Sequence, residues 1–183
     1  ELLGEDGRLL VRQLVYLNEN LGRKAGLVAE IHFEIPGVAE LGRLQISIED
    51  AWGRPKALAS VDLLLLSEGA PDLNPPGDRL EEVVIEDPLP GAFIQGGRLI
   101  LSGLARPTND PILIVELITE KGKVAGTRLV DVSEGPANVH RPFVVEIPYT
   151  ISEPTWARLI IRERGSRIPG NAYLTSLEVY LTP

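Results

Sequence analysis

The sequence predicts an all-β protein made of two tandem β-sandwich modules, the first of them incomplete. Three observations carry this expectation. Apolar and polar residues alternate along several short runs, the two-residue period of a strand with one wet face. Gly, Pro, Asn and Asp punctuate those runs at the spacing of sandwich turns. The opening words, ELLGEDGRLLVRQLV, also return without a gap as ELITEKGKVAGTRLV, which matches Glu1 with Glu116, Leu2 with Leu117, Gly7 with Gly122 and Val15 with Val130.

Each element follows from the same reading. In AEIHFEIP, Ile31, Phe33 and Ile35 point one way while Glu30, His32 and Glu34 point the other. In GRLQISIED, Leu44, Ile46 and Ile48 are expected inward, and Arg43, Gln45, Ser47 and Glu49 outward. SVDLLLL adds Val61, Leu63 and Leu65 to the inner side. The later residues give the series again in the same order: FVVEIP with Phe143, Val145 and Ile147, ARLIIRE with Leu159 and Ile161, and TSLEVYL with Leu177, Val179 and Leu181. Self-similarity over so long a period implies two copies of a whole domain and not a solenoid of short units.

The second copy has more in front of it. Strands around Val83 to Glu86, Leu99 to Leu104 and from Ile112 bring it to a plan of about seven strands, whereas the first copy lacks about 33 residues of that plan and keeps about five. The expected organisation is therefore an incomplete module over residues 1–67, a Pro- and Gly-rich linker over 68–80 and a complete module over 81–183. With no Met in the chain, the sequence reads as a processed or excised piece of a longer product.

Several stretches together resemble a known family. IEDPLPGAFIQGGRLILSGLAR, EKGK, RPFVVEIPY, ARLIIRERG and LTSLEVYL are similar to the immunoglobulin-like domain of bacterial spore germination proteins, over residues 83–183 and in part over 1–66. The resemblance implies two tandem immunoglobulin-like β-sandwich modules. It also implies an accessory module of a secreted or cell-envelope bacterial protein, with no catalytic residues to carry over.

Composition narrows the function. A net charge of -8 repels phosphate backbones, which argues against nucleic-acid binding. Cysteine is absent, so thiol catalysis and cysteine metal sites are excluded. No apolar run is long enough to span a bilayer. No nucleophile stands with a base in a recognisable motif, and the carboxylates of RLEEVVIED read as strand edges and turn formers, so an enzyme is not expected. No cofactor is implied. His32 and His140 lie in different copies without ligand spacing. Asp72, Asn74 and Asp78 offer a weak calcium candidate, although Pro76 and Val83 stand where ligands should be. A ligand platform of Tyr149, Trp156 and Tyr173 would suit a carbohydrate- or peptidoglycan-binding accessory module of a larger envelope enzyme.

The incomplete module poses the sharper problem. Leaving about 500 Å² of apolar inner face in water would cost on the order of 12 kcal/mol, as much as a domain's whole stability. The expected partner-binding face is Ile31, Phe33, Ile35, Leu44, Ile46 and Ile48. Its expected partner is protein, through strand donation that yields a dimer or filament, through a preceding part of the same polypeptide, or through the second copy. The overall expectation is a non-enzymatic structural or adhesive module, secreted or at the cell surface.

Overall fold

Twelve strands and no helix make up the residues that the computed structural model describes, namely 1–15, 29–69, 80–134 and 139–183. The strands are β1 (Leu2–Leu3), β2 (Leu9–Val11), β3 (Ala39–Glu49), β4 (Pro55–Leu66), β5 (Val83–Asp87), β6 (Phe93–Ile94), β7 (Arg98–Ala105), β8 (Ile112–Thr119), β9 (Val124–Asp131), β10 (Arg141–Pro148), β11 (Thr155–Arg164) and β12 (Asn171–Leu181). They form a nine-stranded sheet in the order β2-β1-β3-β4-β12-β11-β8-β9, with β6 alongside β12, and a three-stranded sheet in the order β10-β7-β5. The main core lies between the small sheet and the β12-β11-β8-β9 part of the large one. Leu99, Leu101, Phe143 and Ile147 meet Leu113, Val115, Leu117, Leu159, Ile161, Val179 and Leu181 there.

The large sheet repeats its own pairings about its middle. Leu2 pairs with Leu44 and Leu3 with Arg43. At positions 115 higher, Leu117 pairs with Leu159 and Ile118 with Arg158. Both opening hairpins turn on a glycine of positive φ, +82° at Gly7 and +75° at Gly122, a conformation that residues with a Cβ adopt only at a cost. Their bonds also correspond: Gly7 N donates to Gly4 O and Gly4 N to Arg8 O, as Gly122 N donates to Thr119 O and Thr119 N to Lys123 O, all at 2.9 Å.

The two halves join edge to edge, β4 against β12, through Ala57 with Thr175, Leu58 with Leu174 and Ala59 with Tyr173. Adding 116 to each β4 number gives its β12 counterpart, so Leu58 pairs with its own equivalent and the flanking pairs are reciprocal. That is the pattern of an isologous contact, with a pseudo-two-fold axis perpendicular to the sheet.

Two buried arginines obey the same symmetry. Arg43 in β3 donates from Nε to Asp62 of the adjacent β4 at 2.9 Å, and from Nη1 to the carbonyl of Ile168, in the loop between β11 and β12, at 2.9 Å. Arg158 in β11 lies 3.7 Å from Glu178 of the adjacent β12 and donates from Nε to Asp50, in the turn between β3 and β4, at 3.0 Å. Each half's hairpin tip thus reaches across the axis to the other half's arginine. Arg54 tightens one side, bonding to Asp50 and to Glu178 at 2.7 Å each. Burial would raise the Asp50 carboxyl, but the Arg54 amide and the guanidinium groups of Arg54 and Arg158 hold it well below the usual carboxylate range.

Three expectations are corrected. Residues 29–38 carry no strand, despite the alternation of Ile31, Phe33 and Ile35; a two-residue period satisfies no backbone group unless a partner ladder is present, and Pro36 and Gly37 interrupt the run. The first half therefore has four strands among its described residues, and the second has eight. Arg43 is fully buried where an outward position was expected, because the opposite hairpin tip covers that face. The two sequence copies also share one continuous sheet.

Removing one member of a buried ion pair leaves an uncompensated charge, which typically costs a few kcal/mol. Arg43→Ala is expected to lower the unfolding free energy in urea by about 3 kcal/mol, and Asp62→Ala by less because Asp62 is partly exposed.

Candidate functional site

Antiparallel partners that sit opposite each other point to the same side of a sheet. Ile46 is opposite Ala59, and Ala59 is opposite Tyr173, whose ring is in the main core. Ile48 is likewise opposite Ala57, and Leu44 opposite Val61. The face bearing Leu44, Ile46, Ile48 and Val61 is therefore the inner face of the sandwich, continued into the first half.

The cover differs sharply between the halves. Ile161 is fully buried, whereas its counterpart Ile46 is 56% exposed. Ile48 and Val61 are 41% and 46% exposed. The small sheet lies over β12, β11, β8 and β9, and no described strand continues it over β4 and β3. Of the six residues expected to form an open face, Leu44, Ile46 and Ile48 share β3. Ile31, Phe33 and Ile35 lie in the strandless segment, Phe33 exposed and the two isoleucines half-buried.

The border of this face is β5. Tyr173 Oη donates to Glu81 at 3.0 Å and receives the Val83 amide, which anchors the start of β5 above β12. Burial, with the neighbouring Glu81 carboxylate, pushes the Tyr173 phenol up. Among the described strands β5 pairs with β7 alone, so its other edge, on the side of the joint with the first half, has no strand beside it. The result is a backbone edge with no described strand beside it, its Val83 amide taken by Tyr173 and the rest of its outward groups left for a strand, next to an apolar floor: the two parts of a strand-accepting groove.

A carboxyl pair lies at the foot of β5. Glu163 in β11 is fully buried and accepts the amides of Asn109 and of Asp110, the latter at 2.7 Å. Glu82 lies against it and also takes Thr108 Oγ1 at 3.4 Å. One buried oxygen of each carboxyl has no donor among the described residues, and a single shared proton would satisfy both. Burial first, then the hydrogen bond and charge of Glu163, push Glu82 up to about 8. Glu163 occupies the position equivalent to Ile48, so the two halves carry opposite chemistry there.

The expected ligand platform is not assembled. Tyr149 and Tyr173 are buried in the core, with Tyr149 Oη donating to Ile94 O and Thr182 O, and Trp156 alone reaches the surface. It packs instead against Tyr180, ring centroids 5.1 Å apart and planes inclined by 69°, and Tyr180 in turn packs on Phe93 at 5.2 Å and 61°, which makes a ridged row and not a flat one. Sequence reading, which weighs Tyr180 for the platform, misses Phe93 because the two meet through a parallel pairing of β6 with β12. Asp72, Asn74 and Asp78 lie outside the described residues. Among those described, no group of three potential ligands forms a metal site. His32 is solvent-exposed beside Glu30, and His140 bonds to the carbonyl of Glu81 at 2.7 Å. Among the described residues, no helix is long and apolar enough to cross a membrane.

No protein-family model matches the chain, and no curated protein matches it.

Because Glu82 has a raised folded-state pKa, its shared proton stabilises the fold fully below its ordinary value of 4.5, and that contribution is lost as pH rises through about 8. Melting temperature should fall between about pH 5 and about pH 9, and Glu82→Gln should flatten that slope because the amide keeps a donor towards Glu163 at every pH.

Proposed function

We propose that the chain is a non-enzymatic structural or protein-interaction module of a secreted or cell-envelope bacterial protein, of the immunoglobulin-like kind that its sequence resembles. Its first half is completed by strands of a partner polypeptide. One observation carries the reading: equivalent positions on one sheet, Ile161 and Ile46, differ between full burial and 56% exposure. Exposed apolar residues scattered singly are ordinary, but Ile46, Ile48 and Val61 are neighbours on one face beside an unpaired edge. Backbone bonds along β5 and side chains on the floor would meet both needs of one incoming strand.

The chain contains no cysteine, so single thiols can report on that face. At low protein concentration, Ile46→Cys should react with a thiol reagent at least about tenfold faster than Ile161→Cys, whose protection reports only opening of the core. Equal protection of the two would mean that the face is already covered within the chain, and the reading would fail.

A further inference from the structure

We propose that the β5 edge takes an extended segment of a different protein, one whose alternate residues are large and apolar and whose remaining residues are basic. This rests on the reading above and adds the chemistry of the partner.

The apolar requirement comes from the floor. Strands in a sheet are about 4.8 Å apart and packed sheets about 10 Å, so one strand added to β5 lies above β4 and faces Ile46, Val61, Ala57 and Ala59. Ala57 and Ala59 are the small members of this face, so large apolar side chains of the incoming strand suit the positions over them. Every second side chain of the incoming strand meets that floor, and the others point to solvent.

The basic requirement comes from the edge. β5 reads VVIED, and its exposed Glu86 and Asp87 make no ion pair with a described residue. Of the preceding acids, Glu81 already holds Tyr173 and Glu82 faces Glu163. No Lys or Arg lies in β5 to guard the edge. Cross-strand opposite charges stabilise an antiparallel pair, and like charges oppose it. The pseudo-two-fold would place an added strand antiparallel to β5. A second copy donating its own β5 would set these carboxylates against one another, in a chain already at -8. Pro88 ends the edge, so the bonded stretch is short, and side-chain complementarity must supply much of the selectivity.

The test uses the whole chain and three short fluorescent peptides at physiological salt: alternating Ile and Lys, the same residues in two blocks, and alternating Ile and Glu. Anisotropy should show saturable binding of the alternating Lys peptide at one site, with the other two at least about tenfold weaker. Val61→Lys should weaken it by a similar factor while leaving the melting temperature unchanged, and bound peptide should slow thiol labelling of Ile46→Cys. Equal binding of the block peptide would reduce the effect to bulk charge and overturn the proposal. So would self-association that excludes the peptide, which would make a second copy the occupant. If no peptide binds while Ile46→Cys labels freely, the partner chemistry is wrong and the open face stands; if Ile46→Cys is protected without peptide, the underlying reading is wrong as well.

Discussion

The structure depends on two buried guanidinium groups that exchange caps across a pseudo-two-fold axis. The edge-to-edge joint between β4 and β12 has three residue pairs, too few for backbone bonding alone to hold two four-stranded halves in register. Arg43 and Arg158 change that balance. Each has one acid on its neighbouring strand, Asp62 or Glu178, and takes its second acceptor from the other half, the Ile168 carbonyl or Asp50. Separating the halves would cost each arginine its second acceptor and leave it one acid. Buried ion pairs are weak sources of net stability but strong penalties against alternative arrangements, so the arginines specify the joint more than they strengthen it. Gly165 is part of the same device: a Cβ there would come within 2.2 Å of Arg43 Nη1.

The symmetry of the joint makes the asymmetry of cover interpretable. The four strands of the second half lie under the β10-β7-β5 sheet, and their inner face is dry. Those of the first half present the same face with no described strand above it. At the equivalent positions Ile48 and Glu163, one half ends in an exposed apolar side chain and the other in a carboxylate that collects two main-chain amides and shares a proton with Glu82. The carboxyl pair and the Tyr173–Glu81 bond fix the foot of β5 over β12, so the free edge is presented on a rigid frame. A preorganised edge loses little entropy on accepting a strand.

Much of this was legible in the sequence, for physical reasons. Period-two alternation found β3, β4, β10, β11 and β12 because each has one apolar face, and the repeated words around Gly7 and Gly122 found two hairpins that turn alike. Alternation says which face a residue takes, but not which edge its strand joins, so the β4–β12 joint was invisible. For the same reason Arg43 read as a solvated residue, although a loop 125 positions away covers it. The run at Ile31, Phe33 and Ile35 had the period of a strand without the ladder partner. Tyr149 and Tyr173 looked like a surface platform because a tyrosine hydroxyl can be satisfied equally by water or by a buried acceptor. The Glu82–Glu163 pair left no local trace, being two ordinary acids far apart in the chain that a strand crossing brings together.

If the joint and its arginines hold the first half while its inner face stays open at Ile46, Ile48 and Val61, although buried at Leu2 and Leu65, that half should be the less stable part of one continuous sheet. Native-state hydrogen exchange resolved by residue tests this directly. The account predicts that the amides of β3 around Ile46 open at a clearly lower free energy than the equivalent amides of β11 around Ile161, since local opening tracks buried apolar contact. Equal protection on the two strands would show that cover makes no difference to them and would contradict the account.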